Sequence, residues 1–275
     1  GDVLAQLLSA CSSERQVDLR DRALLLIAFA SGGRRRSEVA GLRVEDLRVE
    51  FKTRRGKGTG EFERITLYEF PEKQAQGHGL GCGDIAGHGR MDVVLNRGWL
   101  ECPADPWRER WLWHPDLSLD WHGASVPMLV VDVNGDGRNE LIVGNGHGYG
   151  LTWYERRRAA EDGNAWLAHP IDPFNAQYHD LQWLDIDGDG KPELVTGKRH
   201  RAHCGREAGE WDDVGIYYFK WTGEGFAKQV IDYGPIGEGK GCGIHFAMAD
   251  LRGTGRLDLV APGKDGLYVY YNEGL

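Results

Sequence analysis

From about residue 78 onward the chain alternates short apolar runs with tight polar turns. Runs such as VPMLVVD, NELIVGN and GLTWYER are rich in Val, Ile, Leu, Trp and Tyr. They are too short for helices and predict β-strands joined by turns. One nine-residue polar turn recurs four times between them: Asp84–Asp92, Asp132–Glu140, Asp185–Glu193 and Asp250–Asp258, with starts 48, 53 and 65 residues apart. Periods of this size mark an array of repeated sheets. A strand-like run precedes each turn (HGLGCGD, VPMLVVD, LQWLD, GIHFAMAD) and another follows it (MDVVLN, NELIVGN, PELVTGK, LDLVAPG). A third comes in GLTWYER, VGIYYFKW and GLYVYYN, and a fourth in WLWHPD, WLAHPID and FAKQVID. The fold class expected is mainly β, with about four four-stranded antiparallel sheets, one per repeat. The last repeat stops after its third strand. The run Glu61–Phe70 (EFERITLYEF) is expected as a lone strand that pairs with the last sheet and closes a ring, removing two exposed edges.

The first 57 residues follow another rule. Leu4, Leu7 and Leu8 sit at helical spacing, DRALLLIAF over Asp21–Phe29 reads as a buried helix, and Ser37 is placed to cap a further short helix. Composition sharpens this seam. All 10 Trp, 10 Tyr and 10 His, and 35 of the 40 Gly, lie after residue 57. Residues 1–57 carry a net charge of +4 and residues 58–275 a net of -13, within a total of -9. Two domains are therefore expected, 1–57 helical and 58–275 β, with the boundary in the loop-like run KTRRGKGTG. The acidic balance of the larger part argues against a protein that coats nucleic acid. No apolar stretch is long enough for a transmembrane helix. Five cysteines with no CxxC do not make a disulfide framework. Leu8-Ser9-Ala10-Cys11 has the form of a lipoprotein cleavage box but lacks a basic start and a long apolar run, so it is read as the end of a helix. A chain opening on Gly1 is read as a fragment or a processed product.

The turns carry the clearest chemistry. In D-x-[DN]-G-D-G-x-x-[DE], oxygens at positions 1, 3, 5 and 9 can converge with the backbone carbonyl of position 7, and the glycines allow the sharp bend. Hard oxygen donors in a flexible loop suit Ca²⁺. The second turn offers Asp132, Asn134, Asp136, Glu140 and the Arg138 carbonyl. The third offers Asp185, Asp187, Asp189, Glu193 and the Lys191 carbonyl. About two calcium sites are expected. The first turn has Ala86 and His88 where ligands would stand, and the fourth has Arg252 and Thr254. Arg252 is placed to supply the cation's charge itself.

This pattern resembles the FG-GAP/VCBS repeats of integrin-like β-propellers over about 215 residues. The resemblance implies four-stranded blades, with the calcium loop joining the first two strands of each. The family's rings commonly have seven blades and four are visible here, so a small ring or, preferably, an arc of a larger one is expected. It also implies export to the periplasm or outside the cell, although no signal peptide is visible. Its ligands would be proteins or carbohydrates.

The segment RDRALLLIAFASGGRRRSEVAGLRVEDL resembles the start of the catalytic domain of tyrosine recombinases (phage integrases). The run Gly33-Arg34-Arg35-Arg36-Ser37-Glu38 matches the turn that supplies that family's first catalytic arginine, which falls on Arg35. The resemblance implies that Arg35 holds a DNA phosphate. The rest of that machinery is missing: residues 1–57 contain neither His nor Tyr, and His203-Cys204-Gly205-Arg206 is read as a chance match to its His-x-x-Arg motif. A vestigial basic turn with weak DNA affinity is therefore preferred to a working recombinase.

A second functional reading rests on histidine. His78, His122, His179 and His245 lie in or just before the first strand of each repeat, with Asp180 next to His179. Lys198, Arg199 and His200 follow the second strand of the third repeat, and His147 has a similar place in the second. In a propeller the first strands line the channel. His78, His122, His179, His245 and Lys198 are then candidates for acid–base catalysis, as in sugar lyases or dehydratases, or for holding an additional divalent metal. The alternative for each histidine is a packing role between sheets.

Overall fold

The computed structural model describes residues 64–70, 78–119, 123–157, 165–203 and 205–274. Among these residues there are fifteen strands and no helix. The helices expected before residue 57, Arg35, the domain boundary and His122 lie outside the described residues.

The strands form four antiparallel sheets in chain order. The first holds β1 (Leu80–Gly83), β2 (Asp92–Leu95), β3 (Gly98–Glu101) and β4 (Leu112–His114). The second holds β5 (Leu129–Val131), β6 (Glu140–Gly144), β7 (Tyr149–Arg156) and β8 (Trp166–Ala176). The third holds β9 (Tyr178–Leu184), β10 (Glu193–Lys198), β11 (Val214–Trp221) and β12 (Phe226–Gly234). The last stops at three: β13 (Ala247–Ala249), β14 (Asp258–Gly263) and β15 (Gly266–Tyr270). Each polar turn joins the first two strands of its sheet in the same register. Gly83 faces Asp92, Val131 faces Glu140, Leu184 faces Glu193 and Ala249 faces Asp258. Strand β3 (GWLE) was not singled out in the sequence, because it does not border the recurring polar turn and follows β2 after only a two-residue turn.

Three apolar layers hold the sheets face to face. Val94, Trp99, Met128, Leu141 and Val143 fill the layer between the first and second sheets. Ile142, Leu151, Tyr178, Leu194 and Phe219 fill the layer between the second and third, and Val195, Ile216, Phe246, Leu259 and Ala261 the layer between the third and last. Strands β6 and β10 are buried on both faces. That is why ELIVG and ELVTG read as nearly continuous apolar runs, whereas β1 and β2 of the first sheet alternate. Each fully buried Leu, Ile or Phe contributes roughly 1.5–3 kcal/mol.

The inner strands also join sheet to sheet through the backbone. Met128 N–H donates to Leu80 O (2.8 Å), Val126 N–H to His179 O (2.8 Å) and Cys242 N–H to Lys198 O (3.0 Å). The first-strand ends of all four sheets therefore lie close together. The expected closing strand is not formed: residues 64–70 make no strand. Instead Leu67 and Tyr68 pack on Leu100, Cys102 and Trp111, and Phe70 meets Trp113 of β4 edge-on at 4.9 Å. Leu67, Tyr68 and Phe70 are thus half-buried against the first sheet rather than beside the last.

Candidate functional site

The four turns share one frame. In each, two glycines lie at φ between +69° and +86°, where an added Cβ would meet nothing but where L-residues are strained. That backbone aims amides inward at the first Asp. Asp132 accepts from Gly135 N–H (2.8 Å), Asp136 N–H (3.1 Å) and Gly137 N–H (2.9 Å). Asp84, Asp185 and Asp250 accept the equivalent bonds. The last acid is buried and accepts other amides, at the start of the turn or beyond it: Asp92 from Ile85, Ala86 and Cys102, Glu140 from Val133, Glu193 from Ile186, Asp258 from Asn272. The two outer acids thus shape every turn.

The turns differ in what faces these acids. In the third, Asp185, Asp187 and Glu193 each bring an oxygen within 4.8 Å of the others. The Lys220 ammonium, from β11, contacts Asp187 and lies 3.1 Å from Asp189 and 3.8 Å from Glu193. Those carboxylates raise its pKa. Lys191 donates its backbone N–H to Asp189 (2.9 Å). In the second turn Arg138 reaches Asp136 alone, at 2.7 Å, and Asn134 lies 3.5 Å from Glu140. Burial, with the charges of Asp136, Asp132 and Glu155, pushes Glu140 up to about 7. In the first turn His88 stands 3.4 Å from Asp84 and 3.5 Å from Asp92. In the fourth, Arg252 bonds Asp258 (3.1 Å) and Glu273 (2.7 Å). Lys220 carried no signal in the sequence, because it reaches the turn from a strand 33 residues away from Asp187.

The histidines separate into groups. His114 stacks on Trp99 at 4.0 Å and His169 on Trp153 at 4.1 Å, both as packing residues. His245 pairs with Asp180 at 2.6 Å, and this hydrogen bond raises its pKa. Asp180 also accepts from Phe246 N–H (2.9 Å). Lys198 is fully buried, donates to Arg199 O (3.1 Å), and has its pKa lowered by that burial. His78 and His179 do come together, joined by His147 rather than by His245. Their Nε2 atoms lie 3.0 Å apart. Burial, then the nearby Arg199 guanidinium, holds His179 down to about 3. His147 Nδ1 is 2.5 Å from Glu207, a residue that the sequence reading did not single out. The joining of His147 and Glu207 follows from how the second and third sheets stack, which no local motif encodes. Beside the group opens a cavity of about 290 Å³, lined in part by Arg199, His203, Cys242, Ile244 and Lys264.

The model of the FG-GAP-like repeat matches residues 132–196, from the second polar turn to β10. No curated protein matches the chain.

Proposed function

We propose that the chain is a calcium-stabilised β-propeller-type interaction module that presents its sheets to a protein or carbohydrate ligand. The matched FG-GAP-like repeat begins at one complete carboxylate turn and contains the other. The observation that carries the calcium reading is the third turn. Three carboxylates meet within 4.8 Å, in a bend whose backbone amides already support them, and a lysine is drawn onto them. The donors are all oxygen, as Ca²⁺ requires. Asp185, Asp187, Asp189 and Glu193 would hold one ion, with the Lys191 carbonyl. Asp132, Asn134, Asp136 and Glu140 would hold the other, with the Arg138 carbonyl. Lys220 then leaves its carboxylates to the ion. Extracellular modules of this kind bind at about 0.1–1 mM, which fits export.

Melting with and without calcium tests this. A hundredfold excess over Kd stabilises by roughly 2.7 kcal/mol per site. Chelation lowers Tm, and Asp187→Ala reproduces part of the loss. A Tm that chelation leaves unchanged refutes the calcium reading.

A second reading, a sugar lyase or dehydratase, is favoured by the meeting of His78 and His179 near the Asp180–His245 pair and the adjoining cavity. It predicts turnover of an acidic or keto sugar that falls in His179→Ala. The DNA-recombination reading rests on Arg35, outside the described residues.

A further inference from the structure

We propose that His78, His147 and His179 bind one transition-metal ion of the Zn²⁺ class through imidazole nitrogens, at the inner ends of the first three sheets. This site is separate from the polar turns and does not rest on the calcium reading.

The three rings come from distant parts of the chain. His78 precedes β1, His147 lies in the turn between β6 and β7, and His179 is in β9. Each offers a ring nitrogen, and the three nitrogens lie within 4.8 Å of one another. The far side of every ring is anchored. His78 Nδ1 donates to Ala124 O (2.7 Å) and His179 Nδ1 to Ile244 O (3.1 Å), while His147 Nδ1 faces Glu207 Oε1 (2.5 Å). A carbonyl or carboxylate on the second nitrogen is the arrangement that orients metal-ligating histidines and raises their basicity.

The anchors also settle the tautomers. A carbonyl oxygen only accepts, so Nδ1 carries the proton in His78 and His179. In the neutral rings both Nε2 atoms then present lone pairs, 3.0 Å from each other. Two lone pairs at that distance repel unless a proton or a metal ion lies between them, and a third imidazole, His147, within 4.8 Å suits the metal ion. Nitrogens bound tetrahedrally to Zn²⁺ at about 2.0–2.1 Å lie roughly 3.3 Å apart, a few tenths of an ångström from the spacing here. Imidazole donors select Zn²⁺, Cu²⁺ or Ni²⁺ over Ca²⁺.

The surroundings are built to hold this arrangement. Gln177 Nε2 donates to Glu207 Oε2 (3.1 Å), and Gln177 is fully buried with φ at +65°. Such strain persists only where the neighbours enforce it. Gly123 has no side chain, and a Cβ there would overlap the His147 ring. Three protein ligands leave a fourth position for water or substrate, and His203 and Ile244 connect the group to the adjoining cavity.

The test uses the untagged full chain, stripped with a chelator and returned to millimolar Ca²⁺ to occupy the carboxylate turns. Co²⁺ is titrated as a coloured probe and then displaced by Zn²⁺. The expected result is one Co²⁺ per chain with visible d–d bands, and three imidazoles around Zn²⁺ by X-ray absorption. His147→Ala and His179→Ala lose at least 100-fold in affinity. Glu207→Gln loses about 10–100-fold, as for an orienting partner. His169→Phe, which touches only the packing histidine, leaves affinity unchanged. Failure of the folded wild-type chain to take up Co²⁺, or uptake unaltered in the two alanine variants, overturns the proposal. Should those variants not fold, the absorption spectrum of the wild-type Zn²⁺ form decides: fewer than three imidazoles is equally fatal.

Discussion

Asp172 shows how one buried charge ties two sheets together. It lies on β8 and accepts from Lys228 Nζ of β12 (2.6 Å), Tyr178 OH (2.7 Å), Asn175 Nδ2 (2.8 Å) and the Phe174 amide (3.0 Å). Burial alone would raise its pKa, but these donors outweigh it and bring the carboxyl down to about 2. A depressed folded pKa means stability that is present above the unfolded value and lost as pH falls through the folded one. Asp172→Asn is therefore expected to cost about 2 kcal/mol at pH 7. That difference shrinks between pH 4 and pH 2, as followed by urea unfolding of both proteins across that range. Lys220 gives a prediction of opposite sign. Its ammonium competes with any cation at the third turn, so Lys220→Met raises calcium affinity there and leaves the second turn unchanged, as read by calorimetric titration.

At the scale of the element, the polar turn was the most legible feature of the chain. Its acids and glycines are all within nine residues, so their spacing alone predicts a sharp bend between two strands that brings the acids together. The strands around it were legible where an apolar run borders the turn, as in β6 and β10, whereas β3, four residues that do not border it, was not singled out. The turn's last acid has a structural duty that spacing does not announce. Asp92 is fully buried and satisfies three backbone amides, Ile85, Ala86 and Cys102. Asp92→Ala orphans all three donors and is expected to destabilise by on the order of 3 kcal/mol or more. The loss is the same with calcium or chelator present, because the first turn carries His88 where a ligand would stand. Equal losses in both buffers, measured by denaturant unfolding, support that division of labour between turns. A loss seen only with calcium contradicts it.

Across the whole molecule, the sequence reads sheets well and the contacts between sheets poorly. Four repeats, their order and the truncated last sheet all followed from local patterns. The partner of residues 64–70, the seat of Lys220 and the joining of His147 to His78 and His179 did not. Each depends on which faces meet across 30 or more residues of chain, and on first-strand ends gathered at one place. The carboxylate turns lie at the opposite ends of those strands from the histidine group, so the two sets of side chains can be probed separately. The central claim is that two of the four turns, and only those two, bind calcium. Equilibrium titration of the chelated full chain with Ca²⁺ counts them directly. The account predicts two ions per chain, falling to one in Asp187→Ala and to one in Asp136→Ala. No bound calcium at millimolar concentration, or a count that neither substitution changes, would contradict it.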